Sequence, residues 1–128
     1  MIKTIISLLL LTCTINICSG QKSYIGHYTL SSNIKSRILI DSSTHTRYIL
    51  DTSNIYITAN NASGKQLWRT DPWKDNHLDP YRVKRPKIVL FEIGKYSNNR
   101  KMIFISYNNT QSGYLEEESG KFIFRGQD

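Results

Sequence analysis

After residue 21 no window sustains apolar residues at helical spacing. Short apolar runs, alternating or briefly continuous, recur instead between clusters of Asn, Asp, Ser and Gly. That pattern marks short antiparallel strands joined by tight turns. It predicts strands near 23–30 (Tyr24, Gly26, Tyr28, Leu30), 35–41 (Arg37, Ile38, Leu39, Ile40), 46–51 (Tyr48, Ile49, Leu50), 54–59 and 65–70. In the fourth, Ile55 and Ile57 face the core and Tyr56 faces out or lines an edge, because side chains alternate across a strand. Asp51 to Asn54 and Asn60 to Gly64 supply the turns, since Asn and Gly tolerate positive φ.

Lys87 to Ile93 is apolar on both faces, with Ile88 and Leu90 on one and Val89, Phe91 and Ile93 on the other. Such a run predicts a central strand covered on both sides. Lys101 to Tyr107 repeats the pattern. The last hairpin runs over Ser112 to Glu116 and returns along Lys121 to Arg125, with Phe122 and Phe124 inward and Glu116, Glu117 and Glu118 solvated in or beside the turn. The expectation is an all-β fold: a small antiparallel sandwich or partly open barrel of about 8–9 short strands, one domain over 21–128. Ser63-Gly64-Lys65-Gln66-Leu67-Trp68-Arg69 echoes Ser119-Gly120-Lys121-Phe122-Ile123-Phe124-Arg125. Good hairpin chemistry accounts for the echo; a duplicated four-strand unit is the alternative.

Residues 71–86 break the rhythm. Asp71-Pro72 and Asp79-Pro80 start turns, and Pro86 holds Arg85 extended. A connection of this length in a small domain is commonly functional or disordered, and Trp73, Leu78 and Tyr81 argue for order because they gain by packing down.

The chain starts with Lys3, an apolar stretch from Ile5 interrupted by Thr12, Thr14 and Asn16, and then Cys18-Ser19-Gly20. This reads as a signal peptide over 1–20, and hence an exported, secreted or periplasmic protein. Acylation of Cys18 is the lipoprotein alternative and the one route to peripheral membrane contact. Both cysteines, Cys13 and Cys18, fall inside that segment, so the mature part offers no thiol for catalysis, redox chemistry or zinc. The remaining 108 or so residues suffice to bury about two-thirds of their surface without a disulfide. The formal net charge of +7 would suggest nucleic acid in a cytosolic protein; outside the membrane it suggests an acidic polysaccharide, phospholipid headgroups or an acidic protein face instead, or a basic surface that only keeps the protein soluble.

Candidate chemistry gathers in 71–86. Trp73 and Tyr81 can stack on the apolar face of a sugar ring, with Asp75, Asn76 and His77 reading its hydroxyls. Arg82, Lys84 and Arg85 can meet negative charge. Asp71, Asp75, His77 and Asp79 match no metal-loop spacing, and no cofactor is expected. Neither a Gly-x-Ser-x-Gly elbow, a His-Glu-x-x-His pair nor a Gly-rich phosphate loop occurs, which points away from an enzyme. Glu92, in an apolar strand, is the one candidate acid for a small hydrolase. Asn61-Ala62-Ser63 and Asn108-Asn109-Thr110 are glycosylation triplets in a eukaryotic host and plain turns otherwise. Asn54-Ile55-Tyr56-Ile57 followed by Ser63 to Trp68 resembles one hairpin of a bulb-type mannose-binding lectin. Of that family's sugar motif, laid on Leu50 to Thr58, only Asn54 agrees, and no role carries over. The functional expectation is a non-catalytic binding module for a glycan or acidic polymer. A protein-binding inhibitor or immunity-type protein acting through the 71–86 loop is the alternative.

Overall fold

Six left-handed residues set the architecture. In the computed structural model, which describes residues 29–96 and 98–128, positive φ occurs at His45, Asn54, Gly64, Asn99, Thr110 and Gly120. Each sits in the turn of a different antiparallel hairpin. The strands are β1 (Ile38–Ile40), β2 (Arg47–Leu50), β3 (Ile57–Asn60), β4 (Gln66–Thr70), β5 (Ile88–Lys95), β6 (Lys101–Tyr107), β7 (Ser112–Glu116) and β8 (Phe122–Gly126), with one short helix, α1 (Pro72–Asp75), after β4. They form two four-stranded antiparallel sheets, β1-β2-β3-β4 and β5-β6-β7-β8, neither closed into a barrel.

The two sheets share one core. Tyr48, Leu50, Ile57 and Ala59 come from the first; Ile88, Phe91, Ile103, Ile105, Tyr107, Leu115 and Phe122 come from the second. Alternation puts these on one face of each sheet, and full burial of an Ile or Leu contributes roughly 1.5–3 kcal/mol. Trp68 lies at the edge of this cluster, its ring centroid 5.9 Å from that of Tyr48. Both Ser-Gly-Lys turns precede the last strand of their own sheet, and both glycines, Gly64 and Gly120, are left-handed.

Several expectations need correction. Lys87 to Ile93 is not a central strand: β5 is an edge strand paired only with β6. A bulge between Ile88 and Leu90 breaks its alternation, so Ile88 and Phe91 both reach the core although their spacing would send one outward. Phe124 shares the face of Phe122, since they pair with Gly113 and Leu115, but it remains 44% exposed. Of the three glutamates expected in solvent, only Glu118 is exposed; Glu116 and Glu117 are half-buried. Of the strand expected over 23–30, residues 23–28 lie outside the described residues and Thr29 and Leu30 carry no strand. The segment 1–20 also lies outside them.

A pinned loop and the groove beside it

The 71–86 segment begins with one helical turn whose cap is written in its residues. The Asp71 side chain accepts a hydrogen bond from Lys74 N at 3.1 Å, and Pro72 follows at the start of the helix, where its missing N–H costs nothing. Asp75 Oδ2 accepts from Asp71 N and from Thr70 Oγ1, both at 3.0 Å. Asn76 Nδ2 donates to Pro72 O at 2.7 Å, and His77, with φ 52°, turns the chain away. Asp75 and Asn76, expected as ligand readers, are therefore also structural caps.

Asp71 is buried and ion-paired with Arg85. The same guanidinium lies 5.1 Å from the centroid of the Trp73 ring, a cation–π contact. Beneath them Tyr107 is fully buried; burial first, and then the negative charge of Asp71, drive its phenol pKa upward and keep it neutral. Trp73 is half-buried against the core, and its indole N–H donates to Gln111 Oε1 at 3.0 Å.

Gln111 was not singled out by sequence, yet it organises this end of the molecule. It is 2% exposed. Its Oε1 also accepts from Asn109 Nδ2 at 2.8 Å, while its Nε2 donates to Asp79 O at 3.0 Å and to Gln127 Oε1 at 3.2 Å. One buried amide thus ties the loop to the β6–β7 turn and to the residues after β8. Buried amides need such partners, which makes the arrangement specific. A second tie runs through Asp128, whose carbonyl accepts from Tyr81 Oη and, at 2.9 Å, from Arg82 Nη2. Arg82 also lies 4.8 Å from the centroid of the Tyr81 ring.

The eight expected site residues therefore divide. Asp75, Asn76, His77 and Lys84 are exposed, whereas Trp73, Tyr81, Arg82 and Arg85 are half-buried with internal partners. Trp73 serves as an anchor of the loop. His77 and Tyr81, together with Leu78, Asp79 and Pro80, face Phe124, Gly126 and Gln127 across a groove of about 430 Å³, with Gln111 bridging its two sides. Among the described residues no three of His, Cys, Asp and Glu are placed to hold a metal ion. Glu92 is exposed and pairs across the strands with Phe104.

No family model, curated protein or solved structure matches this chain.

Proposed function

We propose that this chain is an exported, non-catalytic binding module, and that its ligand is a neutral or weakly charged glycan seated between residues 77–81 and Phe124 to Gln127. The carrying observation is Phe124, a large aromatic ring left 44% exposed beside Tyr81 in a groove otherwise edged by amide, carboxylate and imidazole groups. An aromatic surface takes the C–H face of a pyranose, and the surrounding polar side chains take its hydroxyls. The pinned loop favours such a site because little conformational freedom remains to be lost on binding.

The charge distribution favours a neutral sugar over an acidic polymer. Arg85 is matched by Asp71, and Arg82 is engaged by Tyr81 and the Asp128 carbonyl. Export rests on the Lys3, apolar and Cys18-Ser19-Gly20 pattern of the first residues. The test is a microarray of neutral oligosaccharides probed with the native chain and with Phe124→Ala. Binding by the native chain that is lost in the variant supports the proposal, and equal signals from the two refute it.

A protein partner is the second reading, favoured by the same exposed ring, since aromatic side chains anchor interfaces out of proportion to their area. It predicts that a protein from the secretion or envelope is retained by the native chain and not by Phe124→Ala, with no glycan signal from either.

A further inference from the structure

At the opposite end of the second sheet from the groove, a carboxyl group from each sheet meets the other. Asp41, which opens the β1–β2 turn, is 3% exposed. Its Oδ1 accepts from Ser43 N at 2.7 Å, Ser43 Oγ at 2.6 Å, Thr44 N at 3.3 Å and Lys101 Nζ at 3.4 Å. Glu117, at the start of the β7–β8 turn, lines one pocket with Asp41 and Lys101. Its carbonyl oxygen accepts the Trp68 indole N–H at 2.8 Å, so this corner joins the sheets through backbone as well as side chain.

The arrangement does not balance if both acids are ionised. Glu117 Oε1 is sealed from solvent and accepts from no donor, and two carboxylates sharing one pocket repel each other. A proton on Glu117, donated to Asp41, satisfies the sealed oxygen and removes one of the like charges. That pocket, of about 210 Å³, is lined by Glu118 and Arg100 as well.

We propose that Asp41 and Glu117 share one proton and form a pH-sensitive latch between the two sheets, closed while the proton is held and loosened when it leaves. The electrostatics agree. Burial, followed by the hydrogen bond to Asp41 and the charge of Asp41, pushes Glu117 up to about 7. The hydrogen bond from Glu117, followed by that from Ser43, holds Asp41 well below the usual carboxylate range. Of the other groups facing the pair, Lys101 opposes the rise of Glu117, as does a hydrogen bond from the Tyr48 phenol. Arg100 lies 4.0 Å from Glu116, and Glu118 lines the same pocket.

The sign follows from linkage. Glu117 is raised, so its contribution is complete below its ordinary value of 4.5 and is lost as pH rises through about 7. Asp41 is lowered, so its contribution is present above its ordinary value of 3.8 and is lost as the medium becomes strongly acidic. The latch is tightest in mildly acidic solution.

The test follows the Glu117 side-chain carboxyl by carbon NMR across a pH titration of the native chain, beside the denaturant midpoint of the native chain and of Glu117→Gln. The amide of the variant keeps a donor for Asp41 and cannot ionise. A Glu117 titration midpoint near 7, with a native unfolding midpoint that falls between about pH 5 and about pH 8.5 while that of the variant stays level, supports the latch. A Glu117 midpoint near 4.5, or the same pH dependence in both chains, overturns it. If the variant does not fold, the NMR titration alone decides.

Discussion

The indole N–H of Trp73 rests on the side-chain oxygen of Gln111, at 3.0 Å, and this contact makes an ordered surface of a long connection. It joins the only helical turn among the described residues to a buried hairpin turn of the second sheet. The groove proposed for ligand exists because this amide is held from both sides.

Replacing Gln111 by Ala removes the acceptor of the Trp73 indole and the donor to the Asp79 carbonyl. Buried groups left unpaired cost about 1–3 kcal/mol each, less where water enters. A net destabilisation of about 2–3 kcal/mol is expected from denaturant unfolding. Amide exchange over residues 73–81 should accelerate more than that of β6.

Trp73→Ala and Phe124→Ala should separate stability from binding. Trp73 packs on the core but is only half-buried, and is expected to cost about 2–3 kcal/mol when truncated, at or below the lower end of the range for a fully buried Trp. Phe124 is exposed, and its loss should cost less than about 1 kcal/mol. Thermal unfolding of the two variants should rank them in that order, with only Phe124→Ala keeping a native melting temperature while losing ligand.

The two left-handed glycines should respond differently to alanine. At Gly64, φ 87°, an added Cβ meets nothing within 4 Å, so the cost is the backbone term alone, about 1–2 kcal/mol. At Gly120, φ 71°, the Cβ would stand 2.6 Å from the Trp68 ring. A further 1–3 kcal/mol is expected there from overpacking. Equal unfolding midpoints for the two variants would contradict this account of the echoed turns.

Arg85→Ala leaves Asp71 buried without its cation. Removing one partner of a fully buried pair costs about 3–5 kcal/mol, and the partial exposure of Arg85 reduces this to about 2 kcal/mol. Denaturant unfolding midpoints of the native chain and of the variant check it.

Much of the scaffold was legible along the chain. Alternation at Tyr48 and Leu50, and at Ile57 and Ala59, marks the core face of the first sheet, and Asn54, Gly64 and Gly120 announce their turns by residue type. The left-handed Thr110 was not announced, because a β-branched residue there is strained and held only by its surroundings. The bulge after Ile88 likewise has no compositional mark, which is why an edge strand read as a central one.

The order of the 71–86 connection was legible; the partners that hold it were not. Trp73, Leu78 and Tyr81 marked the connection as ordered, and all three are half-buried. The division of its residues into anchors and exposed groups depends on Gln111, Gln127 and Asp128, which are distant in sequence and resemble ordinary turn or end residues. Glu117 escaped for the same reason: it stands in a run of three glutamates at a turn, and Asp41, which shares its pocket, belongs to the other sheet.

The central claim is that the groove between residues 77–81 and Phe124 receives the ligand. Amide and side-chain NMR shifts of the native chain, titrated with neutral oligosaccharides selected on the array, test it most directly. The expected result is a set of saturable shifts centred on His77, Leu78, Tyr81, Phe124 and Gln127, absent in Phe124→Ala and changing less than about twofold in affinity between low and moderate salt. Shifts centred on another face of either sheet, or an affinity that collapses with salt, would contradict it.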